Sequence, residues 1–273
     1  MEILLPIAVL SVIALLCAVL LTLSSVFFGV KVDERAAAIR ECLPGANCGA
    51  CGFSGCDGYA KALSEGVTDK TNLCTPGGDG VAAEVATIMG LEAGEVIERV
   101  AYVACNGSCR PEERKYIYEG PKTCASANLF FQGDRECIFA CLGYGDCLAV
   151  CPRNAICINQ ERNVAEIDPR KCIGCGLCME KCPNGIIHLI NDTERVVVKC
   201  SSHNKGAAVR SVCKNGCIGC GLCAKKCPEG AIEIINNLAT INYDKCTGCG
   251  TCHEVCPSKC IHLGNFICGS HFE

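Results

Sequence analysis

Residues 171–183 read KCIGCGLCMEKCP, and the spacing of Cys172, Cys175, Cys178 and Cys182 within them decides the fold. A C-x2-C-x2-C-x3-C-P run lets three thiolates of one tight loop grip one iron–sulfur cube while the fourth reaches a neighbouring cube. The run recurs at Cys217, Cys220, Cys223 and Cys227-Pro228, and again at Cys246, Cys249, Cys252 and Cys256-Pro257. Cys137, Cys141, Cys147 and Cys151-Pro152 form a stretched version, in which gaps of three and five residues replace the two short ones. Each iron of a [4Fe–4S] cube takes one soft thiolate, and glycines such as Gly174 and Gly176 let a short loop wrap its corners. Zinc is the competing reading, but it needs only two C-x2-C pairs and has no use for a third cysteine and a trailing C-P.

Four runs make two pairs. If they pair as in two-cluster ferredoxins, Cys137, Cys141 and Cys147 join Cys182, and Cys172, Cys175 and Cys178 join Cys151. In the second pair, Cys217, Cys220 and Cys223 join Cys256, and Cys246, Cys249 and Cys252 join Cys227. After each C-P comes a short apolar strand signal, at 155–156, 186–189, 231–234 and 261–263, and the segments 164–167 and 239–241 are expected to pair with these as hairpins. His188 and His262 fall inside these strands and read as packing residues. The expected fold class is α+β, with tandem two-cluster ferredoxin-like domains over 131–192 and, after a basic linker, 193–273.

With 273 residues, 30 cysteines, no tryptophan and 5% aromatic residues, the chain cannot rely on one large apolar core, so metal clusters must supply much of the folding energy. A disulfide framework fits short secreted chains, and C-x2-C pairs are too close for easy bridging, so the thiols point to a reducing compartment. A net charge of −4 argues against nucleic acid as a partner.

Residues 3–30 are almost wholly apolar, with no charge between Glu2 and Lys31, which predicts a transmembrane helix over 1–30. A signal peptide would carry a basic start and a small-residue cleavage site, and neither is present. Lys31, Arg35 and Arg40 follow at once, so the positive-inside rule places the rest of the chain in the cytoplasm. A polar, alanine-rich helix over 31–42 then leads to LPGANCGACGFSGCDGYAKAL at 43–63. There Cys48, Cys51 and Cys56, joined by Cys74, make a complete quartet, so 31–80 reads as a one-cluster module; a zinc ribbon is the alternative.

The connecting segment 81–130 begins with a helical pattern ending at Gly90 and passes into a strand signal near 96–103. Cys105, Cys109 and Cys124, with Cys200 as a distant partner, either hold an extra cube or are small buried hydrophobes; Cys213 is unassigned. No G-x-G-x-x-G or G-x4-G-K-[ST] is present to cradle a nucleotide's phosphates, and no nucleophile constellation stands out. Between 195 and 228 lie Arg195, Lys199, Lys205, Arg210, Lys214, Lys225 and Lys226 without one acid. This stretch either docks an acidic soluble ferredoxin or is simply a solvated basic loop.

LPGANCGACGFSGC at 43–56 followed by Cys74, then CIGCGLC and CTGCGTC repeats, resembles the B subunits of the Rnf complexes, the ion-translocating ferredoxin:NAD oxidoreductases of bacterial membranes, in their long multi-cluster form. The likeness covers nearly the whole chain. It implies an electron-relay subunit that accepts electrons from reduced ferredoxin and passes them to the membrane subunits, while a separate subunit handles NAD and the complex pumps Na+ or H+. It further implies that Cys48, Cys51, Cys56 and Cys74 carry the membrane-proximal cluster, and that the chain sits in the cell membrane as a single-pass protein with its clusters on the cytoplasmic side. Five [4Fe–4S] clusters are expected, and six if the Cys105 group holds one. A membrane-tethered polyferredoxin serving another reductase and a purely structural metal module are the alternatives.

Overall fold

The computed structural model describes residues 4–27, 33–107, 114–194 and 196–264, with the side chains of the first segment described over 11–23. The first element is helix α1 (Leu4–Phe27). The expectation of a transmembrane helix over 1–30 is corrected here: among the described residues no helix is long and apolar enough to cross a membrane.

Helix α2 (Glu34–Cys42) starts at Asp33, whose side chain accepts from the Arg35 N–H at 3.0 Å. It packs on α3 (Cys56–Ser64) and, beyond a 3-10 turn at Thr75–Gly77, on α4 (Gly78–Met89). Gly90, with φ 68°, ends α4 in the left-handed conformation that glycine adopts without strain. Ile39, Tyr59, Leu63 and Val85 form a small core together with Cys56 and Cys74. The elements thus converge on sulfur atoms.

Two ferredoxin-like units follow. The first contains β1 (Arg99–Val103), α5 (Cys124–Asn128), α6 (Asp146–Ala149), β2 (Ile156–Asn159), β3 (Val164–Ile167), α7 (Leu177–Lys181) and β4 (Ile187–Asn191). The second contains β5 (Val196–Val198), α8 (Gly206–Val212), α9 (Leu222–Lys226), β6 (Ile232–Ile235), β7 (Leu238–Ile241), α10 (Thr251–Glu254) and β8 (Ile261–Leu263). The hairpins β2–β3 and β6–β7 form as the sequence predicts, with Ile156 opposite Ile167 and Ile232 opposite Ile241. Asn236 and Asn237, both at positive φ, make the tight turn of the second hairpin. The strands after the other two C-P dipeptides pair elsewhere. β4 lies antiparallel to β1, with Val103 opposite Ile187, and β8 lies antiparallel to β5, with Val198 opposite Ile261. β1 precedes the boundary expected at 131, so the first unit reaches back across most of the connecting segment.

The units meet along a packed seam. Val100, Ile190 and Val197 are buried together, flanked by Tyr102 and Tyr243. The Ser201 hydroxyl donates to the Ala104 carbonyl at 3.0 Å, Asn106 Nδ2 donates to the Lys259 carbonyl at 3.4 Å, and the Phe139 and His203 rings meet edge to face at 5.7 Å.

Candidate metal centres

Cys48, Cys51, Cys56 and Cys74 are brought together by α3, its preceding loop and the 3-10 turn. The side chain of Asn47 accepts from the Cys56 N–H at 2.9 Å, closing the loop onto the helix start. Burial pushes the Cys74 thiol up to about 11, and the neighbouring sulfurs of Cys56, Cys51 and Cys48 add to the rise.

In the second unit the regular runs interlock across α9 and α10. Cys217, Cys220, Cys223 and Cys256 line a cavity of about 310 Å³ with Ile234, Ala239 and Ile261 as its apolar walls. Cys252 is buried near Cys246 and Cys227. Backbone amides point at the sulfurs: the Ala231 N–H donates to Cys227 Sγ at 3.3 Å. Cys260, which the sequence does not single out, lies 3.6 Å from Cys256 Sγ. Its one S–H, shared with the neighbouring sulfurs, favours the thiolates of Cys217 and Cys256 and lowers both thiols.

The first unit departs from the expected grouping. Cys172, Cys175 and Cys178 gather with Cys151: the Cys178 thiol is pushed up to about 12 by burial, with Cys172, Cys175, Cys147 and Cys151 contributing. The Ala155 N–H donates to Cys151 Sγ at 3.3 Å and the Ala101 N–H to Cys172 Sγ at 3.4 Å. Around the other centre, a cavity of about 360 Å³ is lined by Cys141, Cys147, Cys182 and Cys124, and Cys137 is absent from its lining. Aligned on its C-P, the stretched run reads Cys141-x2-Tyr144-x2-Cys147-x3-Cys151-Pro152, with tyrosine where the second unit has Cys220. Tyr144 is held by Asp134, whose Oδ2 accepts from its hydroxyl at 2.7 Å, and by Arg114, which also pairs with Asp134. Cys124, at the start of α5, brings a fourth sulfur to the lining of this cavity, where Tyr144 has none. A tyrosine in register with the middle cysteine was the available signal.

Cys137 lies instead in a cavity of about 480 Å³, including its open mouth, whose lining contains Cys105, Cys200 and Cys213. Of the four cysteines proposed for an extra centre, then, Cys105 and Cys200 come together, Cys124 sits elsewhere, and Cys109 lies outside the described residues. Cys42 is half-buried and donates to the Ala38 carbonyl at 3.4 Å. The donor sets are all cysteine sulfur, the ligand that the irons of a [4Fe–4S] cube take. Among the described residues no group of three or more Cys, His, Asp or Glu is gathered tightly enough to hold a single metal ion. The N–H to sulfur bonds are those that stabilise cluster-bound thiolates.

Three family models match the chain: a 4Fe-4S dicluster domain over residues 210–263, a putative Fe-S cluster family over 43–76 and a 4Fe-4S binding domain over 165–188. The chain is 41% identical to the B subunit of the Na(+)-translocating ferredoxin:NAD(+) oxidoreductase complex of Acetobacterium woodii, over 89% of this chain and 72% of that protein. It is 37% identical to the B subunit of the proton-translocating ferredoxin:NAD(+) oxidoreductase complex of Clostridium ljungdahlii, over 76% of this chain and 73% of the relative. It is also 37% identical to the B subunit of the ion-translocating oxidoreductase complex of Methanosarcina acetivorans, over 77% and 79% of the two chains.

Proposed function

The chain belongs to the family of B subunits of ion-translocating ferredoxin:NAD(+) oxidoreductase complexes, which are iron–sulfur electron-transfer proteins, and on that footing we propose how its thiols serve the complex. Electrons from reduced ferredoxin enter at the second ferredoxin unit and leave from the N-terminal module toward the complex's membrane and NAD-binding subunits. A [4Fe–4S] cube, when bound, accepts and passes on one electron at a time.

Five quartets serve as ligands in this reading: Cys48, Cys51, Cys56 and Cys74; Cys151, Cys172, Cys175 and Cys178; Cys124, Cys141, Cys147 and Cys182; Cys217, Cys220, Cys223 and Cys256; and Cys227, Cys246, Cys249 and Cys252. One observation carries the proposed path: Cys48 of the N-terminal quartet lies within electrostatic reach of Cys175 of the first unit, adding to the burial that raises that thiol. Entry is proposed at the other end because Cys220 and Cys249 are exposed there. Lys225 and Lys226 end α9, on the Cys220 loop, and Lys205, Arg210 and Lys214 lie exposed nearby in sequence. Such a basic rim steers an acidic partner over long range. The proposed location is a membrane complex, with the cysteine-rich units on its reducing, cytoplasmic side.

Reversing charge at Lys205, Arg210 and Lys214 tests the entry site. The rate of reduction by ferredoxin is expected to fall and to lose its dependence on salt, while reduction by dithionite stays the same. An unchanged rate and salt slope would show that ferredoxin docks elsewhere.

A further inference from the structure

We propose that Cys105, Cys137, Cys200 and Cys213 hold a further [4Fe–4S] cube on the seam between the two ferredoxin units, with two thiolates from each unit. All four line one cavity, as the Cys124 and Cys217 sets line theirs.

The internal repeat gives an independent reason. Cys105 stands two residues past the end of β1, and Cys200 two residues past the end of β5. Cys137 stands four residues before Cys141, the first cysteine of its unit's C-P run, and Cys213 four residues before Cys217, the first of the other. The two units therefore offer matched pairs of sulfurs to the surface where they meet. The amides match too. The Cys217 N–H donates to Cys200 Sγ at 3.2 Å and the Ser202 N–H at 3.4 Å, while the Cys141 and Gly107 N–H groups donate to Cys105. Such bonds stabilise a sulfur that carries negative charge, as a ligand does and a packing thiol does not.

Proximity supports the set. Burial pushes the Cys137 thiol up to about 12, and Cys105, Cys200 and Cys213 are the neighbours that raise it further. Four thiols gathered this closely supply the four sulfurs that one cube takes. Neither half of the set lies within a matched iron–sulfur family model, except Cys213 at the edge of the dicluster domain. Cys105 accepts from the amide of Cys141, and Cys200 from the amide of Cys217, so the seam set touches one quartet of each unit. It places a sulfur set between the quartets of the two units.

The inference rests on the reading that the other quartets hold cubes, and the test separates the two. Intact, anaerobically purified full-length protein is analysed by native mass spectrometry with iron and sulfide counts, and its thiols are mapped by alkylation before and after cluster extraction. About 24 irons per chain at four per cube, with Cys105, Cys137, Cys200 and Cys213 protected until extraction, is the expected result. The double variant Cys137→Ala/Cys213→Ala, one ligand from each unit, is expected to lose about four irons and to keep the paramagnetic signals of the other five centres. About 20 irons in the wild type with these four thiols open to alkylation, or a double variant that keeps about 24, would overturn the seam cube and leave the relay standing. Zinc, or almost no iron, would overturn both. Where the variant fails to fold, the wild-type count and alkylation map decide.

Discussion

The backbone N–H of Cys124 donates to Asp146 Oδ1 at 2.8 Å, and the next amide, that of Ala125, donates to Oδ2 at 3.0 Å. Asp146 is adjacent to Cys147, so its one carboxylate ties the start of α5 to the run that carries Cys141, Cys147 and Cys151. Both residues are buried, and the carboxylate caps two otherwise orphaned amides of a helix too short to hold itself. Asp146→Ala removes both acceptors and is expected to cost roughly 1–3 kcal/mol. Iron at the Cys124 centre should then leave faster under an anaerobic chelator than iron at the other centres. Equal release rates would show that Asp146 does not position Cys124.

Cys124→Ala should remove about four irons, because Tyr144 offers no sulfur to the corner that Cys220 occupies in the second unit. Adding Tyr144→Cys restores the regular spacing and should restore the iron. Iron and sulfide counts on the single and double variants check this. If Cys124→Ala keeps its iron while Cys137→Ala loses the Cys141 centre, the stretched run binds as its spacing first suggests.

Gly174 has φ +63°, and a Cβ there would lie 2.5 Å from the carbonyl oxygen of Arg99 in β1. Gly185 has nearly the same φ, +61°, with nothing within 4 Å of such a Cβ. Gly185→Ala is therefore expected to cost about 1 kcal/mol in backbone strain alone, and Gly174→Ala about 2–3 kcal/mol or more, since β1 must also shift. Thermal unfolding of the anaerobic holoprotein, followed by cluster bleaching, should give the larger drop for Gly174→Ala. Equal drops would mean that the approach of β1 to this loop is not tight.

Cys260 has one S–H to share between two sulfurs of the proposed Cys217 quartet, those of Cys256 and Cys217, without itself belonging to that quartet. Cys260→Ala should leave the iron count unchanged and make the Cys217 centre harder to reduce. A hydrogen bond worth about 1 kcal/mol corresponds to about 40 mV for one electron. Potentiometric titration monitored by paramagnetic resonance reads the shift; no change would mean that Cys260 merely fills space.

His262 is held down to about 4 from the ordinary 6.5, first by burial and then by the positive charges of Lys199 and His253. Its Nε2 has no hydrogen-bond partner among the described residues. The unfolded chain takes up this proton near 6.5 and the folded chain only near 4, so protonation favours unfolding as pH falls through that window. His262→Gln should flatten the fall in thermal midpoint between pH 6.5 and 4. A slope identical to the wild type would assign that acid sensitivity to other groups.

The C-x2-C runs and the two hairpins were legible because each is written within a span of a few residues: ligand spacing in the first case, alternating apolar residues around a turn in the second. What stayed hidden is long-range. β1 and β5 are short apolar stretches that mean little until β4 and β8, far along the chain, pair with them. The departure of Cys137 from its own run was equally hidden, because counting gaps between cysteines passes over Tyr144, the residue that holds the register. Cys124 became readable only when Asp146 tied it in. At the N-terminus, the apolar composition of 3–30 suggested a membrane span, and among the described residues no helix is long and apolar enough to be one.

The pairing of β1 with β4 also sets a timetable for biosynthesis. A ribosome that has released Val103 must still make the chain as far as Ile187 before that strand finds its neighbour, and β5 waits likewise for Ile261. Nascent thiols from Cys105 onward therefore stay uncovered by the late strand for most of a unit's translation. Anaerobic conditions during synthesis, and iron delivery that keeps pace with it, thus matter as much to this protein as they do to the finished fold.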